Sequence, residues 1–513
     1  MEEQGCVPQL RPLTAVEFCV LTLLPKSDWD YRTAAHLLNR AAFGGTPEEI
    51  VATREKGLEG GVHYLIEVEA TTYDSPAPEW AHPRDLGAIR MEAHLAKQRG
   101  DNFKMRKARK LEGDELVDLR YWWLERIATT PTPLVEKMTL FWHSHFATSA
   151  QKVKDAYWMW LQNDTLRRHA LGNFVALTKA ISRDPAMMIY LDLPQSRQRH
   201  PNENWARELM ELFTVGIGNY TEKDVRESAR AFTGYRLDLA TQRYRFVPSQ
   251  HDPGPKSFLG RTGNFYGDDT IDILTQQPAC AEFVARKICL YFITDEPSPP
   301  LVNSVAERMR AHKFEIKPLL WEIFCSAEFY SERVIQSQIK SPMQFIVQTC
   351  KVLGCELPAP AVAQNAMGQM GQILFAPPSV KGWDGGRSWI STSTLLFRNN
   401  FANYLINGDS ILSEPAARRG SGDLGFRVAA REALTQDVHR APIDVDKIVS
   451  SEARSNPTKL IAEMSLRILQ KDPPPSDTAA FSKFLEARGG TTDDSTIRGL
   501  IHLMMNTPLY QLV

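Results

Sequence analysis

The residues of this chain that are best suited to do chemistry lie in four polar clusters, of which the segment from His200 to Leu212 is the most informative. Asn202 can cap a helix there, and helical spacing then places one polar stripe on a single face, formed by Asn204, Arg207, Glu208 and Glu211. If this stripe faces a pocket, two carboxylates in unequal environments can divide the roles of general acid and general base. If it faces solvent, its ion pairs contribute only about 0.3–0.5 kcal/mol each, and for this segment alone that interpretation is favoured.

A second cluster contains two histidines, His143 and His145, between aromatic residues. A helix continued through this segment aims His145 into the protein, because it lies one turn after Phe141 on the apolar face. His143 then points the opposite way, so joint binding of a metal requires the helix to loosen near Ser144. The histidines are candidate acid–base or ligand residues. The alternative is a single buried, hydrogen-bonded histidine packed among aromatic side chains.

The third cluster is a loop from His251 to Lys256, in which proline and glycine restrict the backbone. A neighbouring histidine and aspartate, His251 and Asp252, are compatible with a catalytic loop. They are equally compatible with a turn in which the aspartate caps the backbone.

The fourth cluster is a glycine-rich loop from Phe375 to Ile390 that contains Trp383, Asp384 and Trp389. Tryptophan rings stack on sugars and other rings, and glycines permit close approach of the backbone. The loop therefore predicts a substrate groove, with a long loop that fills a hydrophobic gap between helices as the alternative.

Helices must position these clusters, because apolar spacing and helix caps recur along most of the chain. The pattern predicts a mainly α protein, a large multi-helix globular fold with a small β-hairpin region near 235–267. We divide the chain into an irregular N-terminal tail (1–28), a helical core domain (29–405), a linker (406–424) and a C-terminal helical subdomain (425–513).

Composition narrows the classes of function. The chain has 61 acidic and 60 basic residues, so no net field attracts nucleic acid, and no nucleic-acid partner is predicted. Its 7 cysteines form no C-x-x-C pair. It has no Walker loop, dinucleotide fingerprint or Gly-x-Ser-x-Gly elbow, which argues against nucleotide enzymes and serine hydrolases. The apolar run from Val16 to Pro25 is too short to span a membrane and lacks the features of a secretion signal, so a cytoplasmic location is the default expectation.

Together the clusters resemble the bacterial family called domain of unknown function 1800, over roughly residues 30 to 405. The resemblance rests on seven ordered segments, at 37–44, 141–146, 202–212, 220–225, 231–235, 251–256 and 380–386. The resemblance to this family does not imply an agreed activity for the chain. Many members look secreted and sit beside genes for sulfatase-like proteins, so the resemblance implies work on a polysaccharide or another envelope polymer, with a sulfatase-like protein as a partner.

The first functional hypothesis is a hydrolase that acts on a carbohydrate or another cell-envelope polymer, with Glu208 and Glu211 as its carboxylates. A separation of about 5–5.5 Å between the two would indicate a retaining glycosidase, and a wider one an inverting glycosidase. Proton transfer is assigned to His143, His145 and His251. Substrate binding is assigned to Asn204, Arg207, Asp252, Lys256, Trp383, Asp384 and Trp389.

Two other functions stay open. A metal-binding or redox protein would surround one ion with His143, His145, Glu208 and His251, so a divalent metal is allowed by the sequence but not required by it. A noncatalytic assembly partner of a sulfatase-like protein would instead leave the polar stripe exposed or in an interface, with no enclosed pocket.

Overall fold

Residues 21–67, 76–84, 95, 98–99, 101–408 and 440–513 are described by the structure, a computed structural model, with the backbone alone at 102–110. The predicted tail as far as residue 20 and the predicted linker from residue 409 lie outside the described residues, as do positions 425–439 of the predicted C-terminal subdomain. The four-part division of the chain therefore stays a prediction.

Helices make up most of the described chain, and the predicted mainly α fold class is confirmed. Up to residue 231 they are α1 (Tyr31–Ala41), α2 (Pro47–Glu55), α3 (Gly57–Ile66), α4 (Asn102–Thr129), α5 (Pro133–His145), α6 (Ala150–Val153), α7 (Ala156–Arg168), α8 (Phe174–Ile181), α9 (Pro185–Tyr190), α10 (Glu203–Glu208) and α11 (Glu222–Ala231). Helix α10 continues as a π-helix from Leu209 to Thr214.

Two small antiparallel hairpins follow α11 and confirm the β region predicted near 235–267. Strand β1 (Tyr235–Asp238) pairs with β2 (Arg243–Phe246), and β3 (Lys256–Phe258) pairs with β4 (Arg261–Gly263). In the first hairpin Tyr235 lies opposite Phe246, an aromatic pair of the kind that stabilises neighbouring strands.

Helices resume after the hairpins and continue through the rest of the described chain. They are α12 (Gly267–Thr275), α13 (Pro278–Phe292), α14 (Pro299–Ala311), α15 (Ile316–Phe324), α16 (Pro342–Val352), α17 (Pro360–Met370), α18 (Thr392–Asn407), α19 (Ser451–Arg454), α20 (Pro457–Ile468), α21 (Pro475–Ala487) and α22 (Asp494–Met505).

Local sequence explains where many of these helices begin. The hydroxyl of Thr221 accepts from the backbone of Asp224, whose carboxylate accepts from the backbone of Thr221, which is a complete capping box at the start of α11. Helix α5 begins with Pro133 at its first position, where a missing N–H leaves no helical hydrogen bond unmade.

Two large groups of buried apolar side chains form the core, and α5 contributes to both. Phe141 packs in the first group, with α13 to α15, whereas Leu140 packs in the second, with α4, α16 and α18. Met504 and Tyr510 near the end of the chain also belong to the second group, and the Tyr510 hydroxyl lies 2.9 Å from that of Thr349. Helix α5 therefore takes part in both halves of the core, as do α7 and α9.

A membrane-spanning helix is not found in the part of the chain that the structure describes, where none combines the necessary length and apolarity.

Candidate functional site

The two histidines at the end of α5 serve opposite sides of that helix. The helix continues through Ser144, as its apolar spacing indicates, so both side chains are buried but apart. Nε2 of His143 accepts a hydrogen bond from the backbone N–H of Phe375 at 3.1 Å, and its ring lies against Trp123. Burial lowers the pKa of His143 to about 3, so this histidine is neutral.

His145 lies on the other side of α5 and makes two hydrogen bonds, one to a backbone carbonyl and one to a lysine side chain. Its Nε2 donates to the carbonyl of Phe213 at 3.0 Å, and its Nδ1 accepts from Nζ of Lys287 at 3.2 Å. Lys287 also donates to the carbonyl of Leu212 at 3.0 Å. Burial first, and then the charge of Lys287, lower the pKa of His145 well below its usual range. The imidazole is therefore neutral, with its proton on Nε2.

The π-helix from Leu209 to Thr214 supplies both carbonyls that hold His145 and Lys287. A π-turn changes the direction of the carbonyl groups relative to an α-helix and is often found at functional sites. Helix α10 and its π-helical continuation therefore hold His145 and Lys287 through backbone carbonyl groups, and not through the carboxylates of Glu208 and Glu211.

The glycine-rich loop packs directly on the end of α5. Gly382 has a φ of +88°, and a Cβ at this position would overlap the carbonyl of Ser144. The backbone N–H of Trp383 donates to Oγ of Ser144 at 3.4 Å, and the ring of Trp383 lies 5.6 Å from that of His143. A glycine is required here for both the backbone conformation and the close approach.

A cavity of about 620 Å³ lies between this loop and helices α1, α5 and α13. Of the residues predicted from sequence, it is lined by His145, Trp383, Asp384 and Trp389. The structure therefore brings the second and fourth clusters together.

Three cationic side chains also line the cavity, namely the buried Arg40 and Lys137 and the half-buried Lys287. Arg40 is 2% exposed, and its Nη2 donates to the carbonyl of Val334 at 2.8 Å and to Oγ of Ser337 at 3.2 Å. Its buried Nε and Nη1 have no hydrogen-bond partner among the described residues. Burial lowers the pKa of Arg40 to about 9, with Asp295 acting in the opposite direction.

The two lysines have neutral partners as well. Nζ of Lys137, a residue that is 7% exposed, donates to Oε1 of Gln344 at 2.6 Å. Burial and the nearby Arg40 lower the pKa of Lys137 to about 7. Burial, with a smaller effect of Lys381, lowers the pKa of Lys287 to about 8.

Fewer acidic than basic side chains line the cavity. Asp295 and Glu296 line it, and burial raises the pKa of the Asp295 carboxyl, an effect that Arg40 partly opposes. Asp384 forms an exposed ion pair with Lys381, with 2.8 Å between Oδ1 and Nζ. Within the described residues, no carboxylate forms an ion pair with Arg40, Lys137 or Lys287, although the nearby Asp295 partly offsets the charge of Arg40.

The polar stripe of α10 is not part of this cavity. Its members Asn204, Arg207, Glu208 and Glu211 are absent from the cavity lining that the described residues form. Arg207 makes two hydrogen bonds to the Glu222 carboxylate, at 2.7 and 2.8 Å, on an exposed face.

The two carboxylates of the stripe differ in environment, as the acid–base hypothesis requires. Glu211 accepts from the hydroxyl of Tyr220 at 3.0 Å. Burial first, and then the neighbouring charge of Glu211, raise the pKa of Glu208. Their role in catalysis stays a prediction.

The third cluster forms a self-contained corner away from the cavity. Nδ1 of His251 lies 2.9 Å from the carbonyl of Thr233, and Asp252 forms an ion pair with Arg230 at 2.7 Å. The buried ammonium of Lys256 donates to the carbonyls of Asp252, at 2.7 Å, and of Gly254, at 3.0 Å. These contacts stabilise the loop itself, and none of the three predicted residues lines the cavity.

The three cations that line the cavity were not predicted from the sequence. A signal was present for Lys137, because it shares one face of α5 with Leu140 and Phe141 at i+3 and i+4, and a lysine beside such apolar residues is unusual. In the sequence, Arg40 is notable only as a member of the segment 37–44, which contributes to the family resemblance. Lys287 carries no such local signal, since half-buried helical lysines are common.

A metal centre is not indicated by the described part of the chain, in which no three His, Cys, Asp or Glu side chains are grouped to hold an ion. The histidines predicted as ligands each contact a different element, namely Phe375, Phe213 or Thr233.

Comparison with known proteins gives one match. The family model described as "Protein of unknown function (DUF1800)" matches residues 36–512. No curated protein and no solved structure matches the chain.

Proposed function

The chain belongs to the DUF1800 family of proteins of unknown function, and we propose that its cavity binds a small anionic molecule. The observation that carries this proposal is a group of three cations, the buried Arg40 and Lys137 and the half-buried Lys287, which line one cavity and have only neutral hydrogen-bond partners among the described residues.

Charge burial gives the physical reason. A buried charge without an opposite charge is unfavourable by several kcal/mol, so proteins normally pair such groups. Three cations around one cavity would repel one another as well. A carboxylate, sulfate or phosphate group in the cavity would offset both terms and would accept from the free N–H groups of Arg40.

Aromatic side chains suggest the rest of the ligand. Phe141, Tyr291, Trp383 and Trp389 line the same cavity. Such rings stack on the apolar faces of sugars, and a volume of about 620 Å³ suits a small organic ligand. An acidic sugar, alone or at the end of an envelope polysaccharide, combines both features and agrees with the carbohydrate partner expected from the family resemblance.

Calorimetric titration with glucuronate and with its neutral counterpart glucose tests the proposal. We expect the Kd for glucuronate to be at least about tenfold lower, because each charge-assisted hydrogen bond contributes about 1.5–3 kcal/mol. Lys287→Met should remove most of this difference, whereas Lys317→Met, at an exposed ion pair with Glu67, should retain it. Equal affinity for the two sugars would reject the proposal.

A second candidate is acid–base chemistry on the bound ligand, as in the hydrolase predicted from the sequence. The specific observation is that Asp295, with a raised carboxyl pKa, and Lys287, with a pKa of about 8, line the same cavity. Groups whose pKa values are shifted toward neutrality suit proton transfer. Asp295→Asn should abolish turnover of any substrate found while leaving ligand affinity within about threefold, and full turnover in that variant would exclude this role.

A noncatalytic partnership with a sulfatase-like protein stays a prediction. Co-purification of the two proteins from one strain tests it independently of any ligand.

A further inference from the structure

Lys137 is the first member of a buried chain of side-chain hydrogen bonds that continues through four amide groups to Gln470. Its Nζ donates to Oε1 of Gln344 at 2.6 Å, and Nε2 of Gln344 donates to Oε1 of Gln348 at 3.2 Å. Gln348 donates to Oδ1 of Asn39 at 2.9 Å, and Asn39 donates to Oε1 of Gln470 at 2.6 Å. Because each amide nitrogen donates to the next oxygen of the chain, the oxygen of Gln344 is fixed toward the lysine.

The other surroundings of this lysine are apolar or cationic. Its Nζ lies 4.8 Å from the ring centre of Phe43 and 5.9 Å from that of Tyr291. Arg40 lines the same cavity, and no ion pair with a carboxylate forms among the residues described. An amide oxygen orients the amine but, unlike a carboxylate, does not hold it in the charged form. With a pKa of about 7, half of the Lys137 side chains would be neutral at pH 7.

We propose that Lys137 is a nucleophilic amine that forms an imine with a small aldehyde or ketone that carries an acidic group. The inference rests on the proposed function, because the cationic cavity, and Arg40 in particular, would hold the acidic group while the carbonyl carbon meets Nζ. Lysines that are desolvated beside a second cation are a recurrent form of amine nucleophile.

The reaction needs no oxidant or reductant. The lone pair of Nζ attacks the carbonyl carbon and forms a C–N bond, while the electrons of the carbonyl π bond move to oxygen. The carbinolamine then loses this oxygen together with the two protons that leave Nζ, as one molecule of water, and a C=N bond remains. Gln344 acts as a positioning residue, since it holds the amine from the side of the protein.

Trapping with glyoxylate and sodium cyanoborohydride tests the inference on the full chain, because the reagent reduces an imine to a stable secondary amine. Peptide mass spectrometry then locates the modified lysines. We expect the modified fraction at Lys137 to be at least about tenfold higher than at Lys381, an exposed lysine at the edge of the same cavity. Equal modification of the two, or none at Lys137, would overturn the inference.

A Gln344→Glu variant tests the role of the amide. A carboxylate at this position would form an ion pair with Lys137 and hold it charged, so the modified fraction should fall at least about fivefold. An unchanged fraction would show that the amide chain does not set the reactivity. Calorimetry with glucuronate, without reductant, separates the two proposals: anion binding without an adduct overturns the imine alone, and loss of both overturns the proposed function as well.

Discussion

Gly382 lies against the carbonyl oxygen of Ser144 so closely that no side chain fits between the glycine-rich loop and the end of α5. This contact places Trp383 over His143 and sets one wall of the cavity. The glycine-rich loop and the end of α5 belong to two separate clusters in the sequence. Their contact at Gly382 joins the two clusters in one site.

Replacement of Gly382 by alanine should therefore destabilise the protein and weaken ligand binding. A positive φ costs a residue with a side chain about 1 kcal/mol, and overlap with the Ser144 backbone adds roughly 2 kcal/mol. Gly371→Ala is the matched control, since Gly371 has a φ of +89° but no atom near the added Cβ. Thermal unfolding should show a clearly larger loss for Gly382→Ala, and equal losses would contradict the close contact.

Lys137→Met should stabilise the protein while it removes anion binding. A buried lysine without an opposite charge is unfavourable, and an apolar side chain of similar volume is better by roughly 1–3 kcal/mol. Lys340→Met is the control, because Lys340 is also buried but packs over Tyr510 outside the cavity lining. Both variants should unfold at higher denaturant concentration, and only Lys137→Met should lose affinity for glucuronate. Wild-type affinity in Lys137→Met would remove that lysine from the proposed binding site.

Anion binding should weaken as the pH rises from 6 to 9. Lys137 and Lys287 have pKa values of about 7 and about 8, so both lose most of their charge in this interval, and Arg40, with a pKa of about 9, loses about half of its own by pH 9. The free protein should change in the opposite sense. Both lysine pKa values are lower in the folded state, so the unfolded chain binds more protons between about pH 7 and pH 10 and the free energy of unfolding increases with pH.

Calorimetry and urea unfolding across this pH range check the two trends. Other charged groups face these lysines, namely Arg40 and Asp295 from the cavity wall and Lys381 from the loop, and the neutral His145 contacts Lys287. Lys137→Met should flatten the first part of both curves. Affinity that is constant from pH 6 to pH 9 would argue against a role for either lysine.

Local sequence patterns predicted the parts of the fold that depend on local interactions, such as helix starts and the first hairpin. Capping pairs such as Thr221 with Asp224 and the alternation around Tyr235 and Phe246 indicated a helix and a hairpin correctly. The π-helix from Leu209 was not predictable, because its apolar spacing also fits an α-helix and the wider turn is imposed by tertiary contacts.

The candidate site was predictable only in part. His145, Trp383 and Trp389 stand out by residue type, and the structure places them around one cavity. The importance of Arg40 follows only from its burial, which one sequence does not reveal, whereas Lys137 has a signal in its position beside apolar residues of α5. The stripe with Glu208 stood out by helical spacing alone, and spacing cannot say whether a polar face meets a pocket or solvent.

Lys256→Met should destabilise the corner after the first hairpin without affecting the cavity. The buried ammonium donates to two carbonyls, and leaving these without a donor costs about 1–3 kcal/mol. Lys459→Met removes only an exposed ion pair with Glu452 and should change the free energy of unfolding by less than about 0.5 kcal/mol. Glucuronate affinity should be the same in both variants and the wild type, and a selective loss in Lys256→Met would place the corner in the functional site.

Glu208→Gln should increase stability at neutral pH, because the half-buried carboxylate is repelled by Glu211 and its pKa is raised. With the folded-state pKa above the unfolded one, the wild type gains free energy of unfolding as the pH falls through that pKa, and the variant should not. Glu222→Gln is the contrasting control, since it removes the charge and one of the two acceptor oxygens that bind Arg207 and should bring no such gain. If Glu208→Gln and Glu211→Gln both keep wild-type ligand affinity and turnover, catalysis by the carboxylate pair is excluded. A loss of turnover in either would mean that the stripe acts on a substrate that extends from the cavity across the surface of α10.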